Sequence, residues 1–247
     1  MAEITKVETN IIKVSLTNEQ KEMLKKCNLS VDHLMPPPSE ELSFTINKAP
    51  PSVANSIRRM LESELFVYGL TTTYSDNPNS SDLYITNDFI IERIKQVKLY
   101  QEVIAGLNLK SVVITLFVEN KSPFKIPVYS SSIIAKEKGK EIEICPQNIP
   151  LFMLNPNKNI KISMSIVQGH AYKNGNGALF RPVSNVSYKQ LSYEMITVEN
   201  RVKKGVSSLV QDATTHKLTV RPYIGNKPKY ILNLCFEQLL ARFEEMY

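Results

Sequence analysis

Residues 49–65, "APPSVANSIRRMLESEL", decide how the rest of the chain is read. Pro50 and Pro51 block a helix running in from before them but suit a first turn, where the missing N–H costs nothing and φ is already set. Ser52 or its neighbour can cap the free N–H groups of that turn. Val53, Ala54, Ile57, Met60, Leu61 and Leu65 then recur at three- and four-residue spacing, which predicts a helix with one apolar face. Arg58 and Arg59 stand side by side in its middle. Adjacent helical positions diverge by about 100°, so at least one arginine must leave the stripe and reach outward. A guanidinium fork binds carboxylates or carbonyls two at a time, which suits a protein interface. Pairing with Glu62 or Glu64 on the same surface is the plainer alternative.

A strand leads into this helix: "ELSFTIN" (41–47) turns Leu42, Phe44 and Ile46 to one side, as a half-buried strand does. Upstream, Ile4, Val7, Ile11, Ile12, Val14 and Leu16 read as two short extended runs. In "TNEQKEMLKKC", Thr17 with Gln20 three residues on is a capping-box pattern opening a short helix. "MPPPSEE" supplies three prolines and predicts an extended linker over 35–40.

Beyond the first helix the chain is mostly β. The expected elements are a strand running into a polar turn over 71–82, a β-branched strand at 109–120, and a hairpin around the charged turn "KEKGK" (136–140). A strand or short helix follows at "PLFML", a strand at "IKISMSIV", and a further β stretch, with room for a bend in its first part, at "SNVSYKQLSYEMITVENR". "NDFIIERIKQVKL" is the exception, a helix through Phe89, Ile90, Ile94 and Val97 with Thr86 or Asn87 as its cap. The C-terminal stretch is a strand, "HKLTVRPYIG", then a helix, "NKPKYILNLCFEQLLARFEEMY", with Asn226 expected as cap and Pro228 in the first turn. Ile231, Leu234, Cys235, Gln238, Leu239, Arg242, Phe243 and Met246 form one stripe of that helix, and Leu232, Phe236 and Leu240 a second. Apolar over more than half its circumference, it needs cover on two sides, and a partner is the expected source of one.

The bulk numbers fit an ordinary globular protein: 247 residues, 43% hydrophobic, 22% charged and a net charge of +6, ample for a sizeable core. No apolar run is long enough to span a bilayer, and "MAEITKVETN" has no signal-peptide pattern, so an intracellular chain, cytoplasmic or nuclear, is expected. Three dispersed cysteines, Cys27, Cys145 and Cys235, suit neither a disulfide framework nor a closed zinc site. His33, His170 and His216 lack ligand-spaced neighbours, and no phosphate-binding loop or nucleophile elbow is present. Neither catalytic residues nor a cofactor or metal site is expected on this chain. The basic pI, near 9.0, and the Lys-rich turns leave open a different class, a stand-alone basic β-rich protein that binds nucleic acid directly. Against it, aromatics do not alternate with Arg or Lys along the chain as a stacking platform requires.

Strand, Pro-Pro-Ser, then "VANSIRRMLESEL" resembles the assembly subunits of multi-subunit DNA-directed RNA polymerases. That family includes the bacterial alpha N-terminal domain, the archaeal D subunit and the third-largest subunit of eukaryotic RNA polymerase II. Asn55, Ser56, Ile57, Arg58, Arg59, Met60, Leu61, Ser63 and Glu64 carry the match. "NDFIIERIKQVKL" resembles the family's "DEFIAHRLGLIPL" pattern through Asp88, Phe89, Ile90, Arg93, Ile94, Val97 and Leu99, departing at Lys95 and Lys98. "KNGNGALFRPVSNVSY" is similar to a family loop and strand through Ala178, Phe180, Pro182, Val183, Val186 and Tyr188. "VYSSSIIA" resembles a strand of the family's insert domain. The segments keep the family's order over residues 41–247. The missing cysteine loop near "YQEVIAGLNLK" looks more like a viral or otherwise divergent member than a nuclear one.

The resemblance implies an α+β fold with a discontinuous dimerisation domain, residues 41–74 and 190–247, built as an antiparallel sheet with two helices. A mainly β insert domain at 75–189 would interrupt it, and residues 1–40 would be an extension. The implied function is a non-catalytic scaffold. The chain would heterodimerise with a smaller paralogue and dock two large catalytic subunits, which hold the catalytic magnesium. It would meet DNA and RNA only through the complex and would meet no membrane. Arg58, Arg59, Asn55, Glu62 and Arg93 are the implied large-subunit contacts. Ile57, Met60, Leu61, Ile231, Leu234, Cys235, Leu239, Phe243 and Met246 are the implied dimer contacts.

Overall fold

The computed structural model describes residues 3–13, 16–26, 38–72, 79–80, 86–172, 177–196 and 210–245. In chain order its elements are β1 (Glu3–Ile12), α1 (Asn18–Lys26), β2 (Ser39–Asn47), α2 (Pro51–Arg59), β3 (Val67–Thr71), β4 (Asn79–Ser80), α3 (Asn87–Lys95) and α4 (Gln101–Ala105), then β5 (Val112–Asn120), β6 (Ile126–Tyr129), β7 (Ile133–Glu137), β8 (Lys140–Ile142), β9 (Pro150–Leu154), β10 (Lys158–Gly169), α5 (Gly177–Phe180), β11 (Val183–Ile196), β12 (Val210–Pro222) and α6 (Pro228–Glu244). The fold is α+β, every paired strand being antiparallel. Contacts divide it into two units, Met1–Arg59 with Val183–Ile224, and Met60–Pro182 with Gly225–Tyr247. These limits differ from 41–74 and 190–247 against 75–189. The helix α6 groups with the middle of the chain, and the first strand groups with the sheet.

The first unit is a four-stranded sheet in the order β1-β2-β12-β11. Residues 3–12 therefore extend this sheet at its edge. They form one strand whose ladder shifts between Thr5 and Glu8, where Lys6 takes a positive φ of 49°. This irregularity explains why the sequence reads as two short runs. The central strand β2 departs from the half-buried expectation: Ser43 and Thr45 are buried along with Leu42, Phe44 and Ile46. Ser43 Oγ meets Thr219 Oγ1 at 3.0 Å, which pairs two hydroxyls that burial would otherwise leave orphaned. Arg221 of β12 forms an ion pair with Glu41 of β2 at 2.8 Å. His216, fully buried on β12, donates from Nε2 to the Ala49 carbonyl at 2.9 Å and accepts at Nδ1 from the Tyr188 hydroxyl at 3.1 Å. A carbonyl can only accept, which fixes the tautomer. The histidine thus ties the chain just before α2 to the sheet.

In the second unit β3-β10-β5-β7-β8 form a sheet with β4 pairing β10, while β6 and β9 form a separate pair. Its core joins Ile90 and Ile94 of α3 and Ile104 of α4 to Leu70, Ile114, Leu116, Ile160 and Ile162 of the sheet. The helix α3 starts as its sequence dictates, Thr86 Oγ1 accepting from the Phe89 N–H at 3.3 Å. The expected hairpin at 136–140 is β7-β8. Lys138 and Gly139 both hold positive φ there, the conformation of a two-residue hairpin turn. The strand expected from residue 71 lies earlier, at 67–71, and residues 73–78 and 81–85 fall outside the described residues. Asn120, 1% exposed, organises the β5–β6 connection: its Nδ2 donates to the carbonyls of Phe124 (2.8 Å), Leu154 (3.0 Å) and Asn155 (3.0 Å). Its Oδ1 accepts from the N–H and hydroxyl of Ser122.

Beyond β10, no room exists above Gly69 and Gly169. A Cβ on either would collide with Leu179 or Phe180 of α5, so these glycines let the short helix lie directly on β3 and β10.

Candidate partner interface

The helix α2 begins at Pro51, as its sequence predicts, and ends by widening into a π-helical turn, Met60–Glu64, closed by the Leu65 N–H on the Met60 carbonyl at 3.0 Å. Ala54, Ile57, Met60, Leu61 and Leu65 are buried. Val53 is exposed instead, a correction to the expected stripe. Of the two arginines, Arg58 is half-buried and Arg59 exposed. Asn55, one turn earlier, accepts from Arg58 Nε at 3.2 Å and Nη2 at 2.9 Å. The amide oxygen thereby holds the guanidinium along the outer side of the helix and reduces the rotamer freedom a partner would have to freeze. Glu64, a candidate acid for the plainer pairing, accepts from Arg242 Nη1 at 2.7 Å. Glu62 is half-buried on the π turn.

Arg93 sits on α3, where its Nε donates to the Leu151 carbonyl at 2.9 Å and its Nη1 to Gln96 Oε1 at 3.3 Å. Its guanidinium carbon also lies 5.9 Å from the Phe89 ring centre. This arginine therefore has an architectural task, fastening α3 to β9, that its sequence position did not reveal.

Along α6, Pro228, Ile231, Leu232 and Cys235 are buried, and none of the described side chains after Cys235 is. Phe236, Leu239, Leu240 and Phe243 fall at i, i+3, i+4 and i+7 and share one face. Phe236 and Leu239 are half-buried, Leu240 is 60% exposed and Phe243 55% exposed. The implied dimer contacts thus separate: Ile57, Met60, Leu61, Ile231 and Cys235 are interior, Leu234 and Leu239 are half-buried, Phe243 is open, and Met246 lies outside the described residues. Gln238 and Arg242 belong to neither group. The Gln238 side-chain amide accepts from the Phe66 N–H at 2.9 Å and donates to the Phe66 carbonyl at 3.0 Å. Arg242 Nη2 donates to the Glu64 carbonyl at 3.1 Å, beside its ion pair with that carboxylate.

Two residues along, Gln101 treats Tyr68 in the same way, accepting from its N–H and donating to its carbonyl, both at 2.8 Å. Two glutamines thus stand in for a neighbouring strand beside Phe66 and Tyr68 and cover backbone groups that would otherwise template aggregation. Asn226 is not the cap of α6. Its Oδ1 accepts from the Gln101 N–H at 2.8 Å and its Nδ2 donates to the Leu99 carbonyl at 3.0 Å, while Lys227 takes the cap position with its Nζ paired to Glu102 at 2.9 Å rather than to the helix.

Reactive chemistry is scarce among the described residues. Burial pushes the thiols of Cys145 and Cys235 up to about 12, with Glu143 adding to the first and Arg242 partly opposing the second, so both stay protonated and poor nucleophiles near neutrality. Burial, helped by the charge of Arg181, brings Lys98 down to about 8. Its Nζ donates to the Leu179 carbonyl at 3.4 Å. His170 Nδ1 and Arg181 Nε are buried without a hydrogen-bond partner. Among the described residues, no three His, Cys, Asp or Glu side chains gather closely enough to hold a metal ion. No helix among them is long and apolar enough to cross a membrane. Compared with known proteins, the sequence matches no family model and no curated protein.

Proposed function

We propose that this chain is a non-catalytic assembly subunit of a multi-subunit DNA-directed RNA polymerase. The observation that carries the reading is the second half of α6, where Phe236, Leu239, Leu240 and Phe243 share one face, the first and second half-buried and the last two exposed, while the buried residues of the helix end at Cys235. An exposed face of this kind is unstable in water alone and is the usual form of a helix that packs on a partner helix. In this reading the four-stranded sheet and its helix α2 belong to a discontinuous dimerisation domain, and the stripe meets a smaller paralogous subunit. Arg58, poised by Asn55, and the exposed Arg59 engage the large catalytic subunits, which carry the magnesium and the chemistry. The ordered resemblance of residues 41–247 to the assembly subunits supports the same role.

The test is affinity purification of the full chain from its native source, washed at high salt, with partner stoichiometry read by mass. Two very large chains and one small paralogue at one copy each are expected. Reversing both arginines to glutamate should abolish recovery of the large chains while the small one remains. A chain that emerges alone refutes the reading.

One observation favours direct nucleic-acid binding as the second reading. On the outer face of the six-stranded sheet, Phe117 is 61% exposed and stands opposite Lys161, with Val113 and Ile134 also open. A ring beside a cation can stack a base and hold its phosphate. Salt separates the readings: backbone binding falls by about 10³ or more over a fourfold salt increase, whereas a buried apolar interface barely responds.

A further inference from the structure

We propose that Gln238 and Arg242 set the pose of the outward stripe of α6, so that the partner subunit meets a preformed helix face. The inference rests on the assembly role proposed above and assigns the two residues a positioning task within it. Full burial along the helix ends at Cys235, and beyond it Phe236 and Leu239 are only half-buried. A helix end held by its backbone bonds alone frays readily, because short helical segments are marginal in water. The second half is instead fastened by two polar attachments one turn apart. Gln238 pairs with both backbone groups of Phe66, and Arg242 with the carboxylate and carbonyl of Glu64.

Both attachments reach the short segment that enters β3, and both leave the helix on the side away from Phe236, Leu240 and Phe243, with Leu239 at the margin between. They therefore fix the rotation of the helix about its own axis. A leucine at 238 could pack, but it would leave the Phe66 N–H and carbonyl without their partner. The amide binds in one register only, which specifies which side chains face out. Ordering the helix in advance removes a cost that association would otherwise bear.

Backbone hydrogen exchange on the full chain, paired with partner recovery from the native source, tests this. In Gln238→Ala the Phe66 amide and those of 239–245 should exchange about tenfold faster or more, in keeping with the loss of two hydrogen bonds. Amides of 229–235 should hold, and the thermal midpoint should move by no more than a few degrees. Recovery of the small partner should fall by about tenfold at equal expression. Gln238→Glu keeps the acceptor for Phe66 N–H but loses the donor, so it should fall between. Arg242→Glu should lose the partner, and adding Glu64→Arg should restore it, a rescue that simple loss of stability would not show. Unchanged exchange over 239–245 overturns the proposal. Faster exchange with undiminished recovery overturns it as well, because the pose would then be irrelevant to the partner. A wild-type chain that retains no small partner overturns the assembly reading and this inference with it, whereas variants that retain the partner as well as the wild type does overturn the inference alone.

Discussion

Replacing Asn120 by Asp barely alters shape and inverts the electrostatics of a sealed site. The wild-type Nδ2 gives its hydrogens to three carbonyl oxygens, those of Phe124, Leu154 and Asn155. An ionised Asp would place an oxygen against all three, while a protonated one could still donate to one of them. Burial and these carbonyls both favour the neutral acid, so its folded pKa rises above the usual value of about 3.9, by about 3 or more. Between the two values the folded state holds a proton that the unfolded state has released, so stability falls as pH rises, by about 1.4 kcal/mol per pH unit. Near pH 4 the cost is the two lost hydrogen bonds, about 2 kcal/mol. By pH 7 another 4 kcal/mol or so is added, for a total of about 6 kcal/mol, much of the 5–15 kcal/mol that stabilises a typical domain. Urea unfolding of both proteins between pH 4 and 7.5, followed by circular dichroism, would measure the difference. A difference that does not change with pH refutes the assignment of Asn120 as a buried donor to carbonyls.

Leu240→Ser with Phe243→Ser should weaken partner retention by about 100-fold, since burying the exposed parts of both side chains is worth about 3 kcal/mol. The melting temperature of the isolated chain should stay within a few degrees, which differential scanning fluorimetry checks. Gly225→Ala should destabilise by about 2–4 kcal/mol, because Gly225 holds φ at 86° and a Cβ there would enter the Tyr100 ring; a chemical denaturation midpoint equal to wild type would contradict it. Lys98→Met should stabilise the fold at pH 7 by about 2 kcal/mol, because the folded state binds the Lys98 proton more weakly than the unfolded state. The unfolded chain keeps that proton to about 10.5 and the folded chain only to about 8, so wild-type stability should rise with pH across this window and the advantage of Met should shrink. Parallel urea melts at pH 7 and 10 read this directly.

Local signals were legible where both partners lie close in the sequence. The Thr17–Gln20 capping box forms reciprocally, at 3.0 and 3.3 Å, Thr86 caps α3, and the Lys138-Gly139 turn joins β7 to β8. Reading failed where a residue's partner is remote. Asn226 looked like a cap because it stands just before Pro228, yet its bonds go to Leu99 and Gln101, more than a hundred residues away. The strand β3 is only five residues long and draws part of its backbone pairing from Gln101 of α4, with Gln238 of α6 pairing Phe66 just before it, which no alternation pattern records. The helix α6 showed its two apolar faces plainly. Periodicity gives the number of faces but not how far along the helix the chain's own cover extends, so Ile231 and Cys235 fall in one stripe with Phe243. Gln238 and Arg242 are the signal that could have separated them, being polar residues one turn apart inside an apolar stripe.

The pairing of β2 has a consequence for the order in which the protein is made. Leu42 pairs with Val220 on one side and with Thr9 on the other. At about 5–20 residues per second a ribosome needs roughly 10–35 seconds to synthesise the stretch between Leu42 and Val220. Throughout that interval one margin of β2 waits, with Leu42, Phe44 and Ile46 not yet covered by the strand beside them. The margin facing β1 need not wait, because Glu3–Ile12 leaves the ribosome before β2 does. A strand that contributes few interior side chains to the finished sheet is therefore the one strand of that sheet available to pair with β2 until β12 arrives.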